Sequence, residues 1–111
     1  MGKGQCKVSS FPWIQGESDA ETDKLAIRYE GRLALLGHHI RRLLNEPNPP
    51  VILSVDELHP WVKQRPVVVE SQKKIVAANS RMAFLSMQGL QKIDESHLSP
   101  QGIIRHGELL F

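Results

Sequence analysis

A single cysteine, no long apolar run and almost no net charge mark this sequence of 111 residues. Cys6 alone cannot close an internal disulfide, which fits a reducing compartment. No apolar run reaches the roughly 20 residues that a membrane-spanning helix needs. The opening Met1-Gly2-Lys3-Gly4-Gln5-Cys6 lacks the apolar core of a secretory signal, so a soluble, cytoplasmic protein is expected, with no membrane partner. Cys6 also stands where a myristoylation signal after Gly2 requires Ser or Thr. The formal net charge of +2 is too small to imply nucleic-acid binding by itself. His38 and His39 are adjacent, and neighbouring helical side chains point about 100° apart. With no Cys-x-x-Cys, His-x-x-x-His or acid cluster beside them, no metal site is expected. Internal repeats and low-complexity tracts are lacking too.

What is present reads as a folded domain. Apolar residues make up 41% and charged residues 23%, as in ordinary globular proteins. The length allows one hydrophobic core. The expected organisation is a flexible arm over residues 1–17 and a single α/β (α+β) domain over 18–111. That domain comprises one long N-terminal amphipathic helix, a small mixed sheet with a hairpin, and a short buried helix. Ser18-Asp19-Ala20-Glu21 matches a capping box. Leu25, Tyr29, Leu33, Leu36, Ile40 and Leu43 step by three or four, which predicts a helix over about 19–45. The three prolines of Glu46–Pro50 stop it. Val51–Val55 reads as a strand. Pro66–Glu70 and Lys74–Ala78 flank polar Ser71-Gln72-Lys73 and read as an antiparallel hairpin. Asn79 or Ser80 then caps a buried helix over 81–88, ended by Gly89. Ile103-Ile104 and Leu109–Phe111 remain as a last strand or a docking tail.

Two basic features suggest binding. Between Lys24 and Leu44 five basic residues stand against one acid, Glu30. Arg28, Arg32, His39 and Arg42 fall near one helical stripe, a partner-binding surface for nucleic acid or an acidic protein, or a solvated face whose long stems cover the core. Lys73 at the hairpin turn, with Ala78, Asn79, Ser80 and Arg81 at a helix start, forms a candidate anion or nucleotide site, because a helix start offers free N–H groups and Arg81 adds a fork of donors. The bland alternative has Asn79 and Ser80 merely capping while Arg81 pairs with a carboxylate such as Asp94. Lys3 and Lys7 flank Cys6, which reads as an inert thiol on the arm or as a redox thiol. No catalytic residue is assigned and no cofactor is expected beyond a possible nucleotide ligand.

Residues 51–94 resemble ParB/sulfiredoxin-like domains. Val55-Asp56-Glu57-Leu58-His59-Pro60-Trp61 is similar to their opening strand and Leu-x-Pro-Trp step, with Arg65 before the Pro66-Val67-Val68-Val69 strand. Ile75–Ala83, then Gly89-Leu90 and Ile93, resembles their phosphate-binding box. The resemblance implies a small nucleotide- and DNA-binding module. Ala78 stands where that family has Gly, and Asn79-Ser80 where it has an acid or His, so binding rather than catalysis is implied. Val67–Asn79 also resembles the first hairpin of PAS sensor domains. His59–Val69 is similar to a segment of arsenate-reductase-like thioredoxin folds, which implies a degenerate reductase using Cys6. A non-catalytic interaction or regulatory protein docking onto a larger assembly is the alternative of a different class.

Overall fold

The computed structural model describes residues 10–43 and 50–110. The readings placed on Cys6, on the remainder of the arm before Ser10 and on Glu46–Pro49 lie outside these residues. Strands β1 (Phe11–Ile14), β2 (Val51–Ser54) and β3 (Met82–Phe84) form a parallel sheet in the order β1-β2-β3. Phe11 stands opposite Val51, which stands opposite Met82. Parallel neighbours cannot be joined by a tight turn, so each pair needs a crossover. Helix α1 (Asp23–Leu43) is the first, and α2 (Pro60–Gln64) with α3 (Val67–Ala78) makes the second. Helix α4 (Pro100–Leu110) follows β3.

The α/β class and the long first helix are as expected, with local differences. The N-terminal stop is set by Thr22, whose Oγ1 accepts from the Leu25 N–H at 3.3 Å, and not by the Ser18–Glu21 box. Ser18–Ala20 instead makes one 3-10 turn. The helix buries Ala26, Tyr29, Leu33 and Ile40 at its three- and four-residue steps, while Leu43 is exposed. Residues 11–14 are no loose arm, because their backbone pairs with β2.

The expected hairpin over 66–78 is helix α3, so the sheet is parallel and not mixed. Val67-Val68-Val69 suits a strand by composition, but β-propensity reports fit to a half-buried pleated surface and yields to context. Val68, Ser71, Gln72 and Ile75 are buried at helical spacing, with Val69 and Val76 packed against the same core. The expected helix over 81–88 is strand β3 and the loop after it. The expected C-terminal strand or tail is α4.

Residues 51, 53 and 55 point to one face of the sheet, where Val51, Leu53 and Val55 join Tyr29 and Leu33 of α1 and Val68 and Ile75 of α3 in the core. Gln72 is fully buried there. Its Nε2 donates to the Gln15 carbonyl at 3.0 Å and to Tyr29 Oη at 2.9 Å, and Tyr29 donates to the same carbonyl at 2.9 Å. Burial pushes the Tyr29 phenol up to about 12. The next residue, Gly16, has φ +146°, and a Cβ there would stand 2.9 Å from methyl carbons of both Val55 and Val68. Ser54 alternates to the opposite face, where His106 of α4 meets its Oγ at 3.1 Å. Among the described residues no helix is long and apolar enough to cross a membrane.

Candidate active site

In an open parallel sheet the strands deliver their following loops to one edge, where ligands usually bind. Here that carboxyl edge carries Gln15–Asp19 after β1, Val55–His59 after β2 and the segment after Phe84. Side chains tie the loops together. The Glu57 carboxylate accepts from Ser86 Oγ at 2.9 Å and from the Met87 N–H at 2.7 Å. Gln15 Nε2 donates to the Asp19 carboxylate. Buried Asp56 receives Lys92 Nζ at 2.5 Å, and Lys92 also donates to the Glu95 carbonyl at 2.7 Å. That ion pair anchors the 92–98 loop to the end of β2.

The loop itself is closed by a bridge between Lys92 and Leu98 and by the Ile93 N–H donating to the His97 carbonyl at 3.0 Å. At its turn, Asp94 accepts from the Ser96 N–H at 2.7 Å and holds His97 Nδ1 at 3.0 and 3.1 Å from its two oxygens. The Ser96 backbone bond first, then the His97 contact, keeps the Asp94 carboxyl below its ordinary range. Both side chains are exposed. Ser99 continues the frame: its N–H reaches the Gln91 carbonyl at 3.0 Å, and its Oγ accepts from the Gly102 N–H at 3.1 Å to start α4. Pro100 fits the first helical position, where an N–H would be unbonded. An aspartate bonded to one ring nitrogen fixes the tautomer and orientation of a histidine and leaves the other nitrogen as a base. Among the described residues no hydrogen bond engages His97 Nε2.

A family model described as carbohydrate esterase, sialic acid-specific acetylesterase (SASA), matches residues 1–111. The chain belongs to that family. No curated protein matches this esterase-family chain. A crystal structure of a protein from Arabidopsis thaliana is similar at 25% identity and a TM-score of 0.78. The match covers 95% of the esterase-family chain but only 42% of the Arabidopsis chain, so the present sequence spans less than half of that neighbour's length. The ParB/sulfiredoxin resemblance, and with it the DNA- and nucleotide-binding role it implied, is overturned by the family match, as are the PAS and arsenate-reductase-like ones.

The structure gives the physical reason for that correction. The supposed phosphate box needs a strand leading into a helix start, whereas Ala78 ends α3 and Asn79 is its C-cap. Ser80 and Arg81 form an exposed turn into β3, at the amino edge of the sheet, away from Asp94 and His97. Asn79 Nδ2 donates to the Ile75 carbonyl at 2.7 Å. Lys73 extends over Phe84, its Nζ 5.3 Å from the ring centroid. Arg28, Arg32, His39 and Arg42 are all exposed on α1. Asp94 pairs with His97, so the Arg81–Asp94 alternative is not the pairing observed. Among the described residues no group of His, Cys, Asp and Glu is placed to hold a metal.

The sequence alone gives His97 no role and Asp94 only that of a partner for Arg81, although the two stand three residues apart in Asp94-Glu95-Ser96-His97. The pair's signal is an acid three residues before a histidine, followed by a Ser-Pro helix start. Of the Gln15-Gly16-Glu17-Ser18-Asp19 run after β1, the sequence assigns Gln15–Glu17 to the flexible arm and only Ser18 and Asp19 to the capping box.

Proposed function

We propose that this chain contributes the carboxylate–imidazole half of an ester-hydrolysing site acting on O-acetyl groups of sialic acid-type sugars. The observation that carries the reading is the Asp94–His97 pair at the carboxyl edge, in a chain of an acetylesterase family. In this reading His97 Nε2 takes the proton of an attacking hydroxyl as that oxygen bonds to the acetyl carbonyl carbon. The tetrahedral adduct then collapses, the bond from the acetyl carbon to the sugar oxygen breaks, and His97 returns the proton to that oxygen. Asp94 keeps the ring oriented and stabilises the imidazolium formed between the two steps. The attacking hydroxyl comes from outside the described hydrogen-bond partners of His97. Water yields acetate directly. A side-chain hydroxyl instead keeps the acetyl group as an ester until a water deprotonated by His97 attacks it. The ester bond then breaks, His97 returns the proton to the side-chain oxygen and acetate leaves. The substrate class comes from the family description and from no feature of the edge itself.

Acetate release from O-acetylated sialic acid, followed for wild type and His97→Ala, tests the reading. The variant is expected to lose roughly 10²–10⁴-fold in rate, the usual worth of a positioned acid–base group. Asp94→Asn is expected to fall comparably while the fold, followed by circular dichroism, is unchanged. A His97→Ala variant as fast as wild type, or a wild type that releases no acetate, overturns it.

A further inference from the structure

At the other end of the molecule, α1 and α3 part to leave a cavity of about 170 Å³. Leu33, Ile75 and Met82 give it an apolar floor, and Gly37, His38 and Arg41 form its α1 side. A long helical side chain runs back toward the helix N-terminus, so Arg41 lies over the turn that holds Gly37 and His38. Its Nε and one terminal nitrogen, Nη2, are shielded from solvent with no hydrogen-bond partner among the described residues. These two atoms form the side-on fork of a guanidinium, whose parallel N–H bonds match the two oxygens of a carboxylate. Shielded donors without an acceptor are costly, so the fork calls for an anion. The C-terminal ends of α1 and α3 favour a cation nearby but give these two N–H groups no acceptor.

Gly37 lines the same cavity. A glycine inside a helix is destabilising relative to alanine, and usually some close packing requires it. Here a Cβ at Gly37 would meet no atom within 4 Å, as is also true at Gly31 and Gly107, but of these three only Gly37 lines the cavity. What Gly37 does is leave the cavity beside Arg41 open. The volume is close to the ~150 Å³ in which an apolar cavity accommodates benzene.

From the fork without a partner among the described residues, the apolar floor and the room beside Gly37 together, we infer that this cavity binds a small monocarboxylate with a short apolar body, its carboxylate on Arg41 and its body against Leu33, Ile75 and Met82. This site is separate from the Asp94–His97 edge and does not depend on the esterase reading.

Titration of the ¹⁵N-labelled chain with benzoate, followed by NMR, tests it. Saturable shifts are expected at the Gly37 amide and at Arg41 Nε–H, with binding weakened roughly tenfold or more in Arg41→Gln through loss of the charge-assisted pair. Gly37→Leu fills the cavity from a position with room for a side chain, and is expected to abolish the shifts while thermal stability is kept. It decides the matter if Arg41→Gln fails to fold. Inorganic phosphate, which lacks the apolar body, is expected to bind more weakly than benzoate. Absence of saturation in wild type, benzoate binding undiminished in the variants, or phosphate binding as tightly as benzoate would each overturn the assignment.

Discussion

The two faces of the sheet are held by different means. Toward α1 and α3, Val51, Leu53 and Val55 are almost wholly buried in one continuous apolar core. Toward α4, the contact that stands out is polar, the Ser54–His106 hydrogen bond, while Ile14, Ile103 and Ile104 stay exposed. Parallel sheets are generally covered on both faces by helices, and among the described residues only one face is covered by a pair of them. The difference teaches that the stability of the domain and the placement of its candidate catalytic loop are separable. The first depends on apolar area, and the second on the few close contacts that start and anchor α4.

The sharpest way to break this contrast is to empty the core. Leu53 is 1% exposed, and Leu53→Ala is expected to cost about 2–5 kcal/mol of unfolding free energy, through lost transfer energy and the cavity left behind. Urea denaturation measures it, and a loss below 1 kcal/mol would mean that β2 does not centre the core. A smaller effect is expected from Gly102→Ala. Its Cβ would collide with the Gln91 carbonyl oxygen, so the start of α4 must move away from the loop that carries Asp94 and His97. A cost of about 1–3 kcal/mol is typical of such overpacking. The variant should also change the NMR shifts of His97 while those of Val51 and Tyr29 stay in place. Shifts spread evenly over both faces would show that the faces are not separable.

The mildest probe is acid. Burial lowers the His106 pKa from 6.5, so the folded state resists a proton that the unfolded chain accepts. The unfolded state therefore binds more protons as pH drops below about 6.5, and stability falls until the depressed folded value is passed. His106→Gln, which keeps a polar side chain but does not titrate, is expected to remove that part of the pH dependence in thermal melts between pH 7 and 5. An unchanged slope would mean that α4 is not held through His106.

Legibility in the sequence follows the same division. Leu25, Tyr29, Leu33, Leu36, Ile40 and Leu43 step by three or four residues over about five turns, and so many coincident positions leave α1 little alternative. Val51–Ser54 is β-branched and apolar between turn residues, and it is the central strand. Short segments misled. Val67–Ala78 carries residues that suit a strand, and its polar centre resembled a turn, yet Gln72 lies at the centre of the core because Tyr29 and the Gln15 carbonyl are there to receive its amide. Met82–Phe84 packs against that core as a strand, although its residues also suit a helix. The candidate site was harder still. Asp94 and His97 look like any exposed acid and histidine until Lys92, Leu98 and Ser99 fold their loop against the end of β2.

By itself the sequence determined the α/β class, the first helix and the central strand, because each is written in a local periodicity or composition that few other structures satisfy. Only the tertiary structure decided that the remaining strands run parallel, that residues 67–78 are helical, and that Asp94 and His97 share an edge with Gln15–Asp19. Those outcomes depend on partners far away in the chain, and a three-residue strand or a lone histidine carries too little local preference to choose among them.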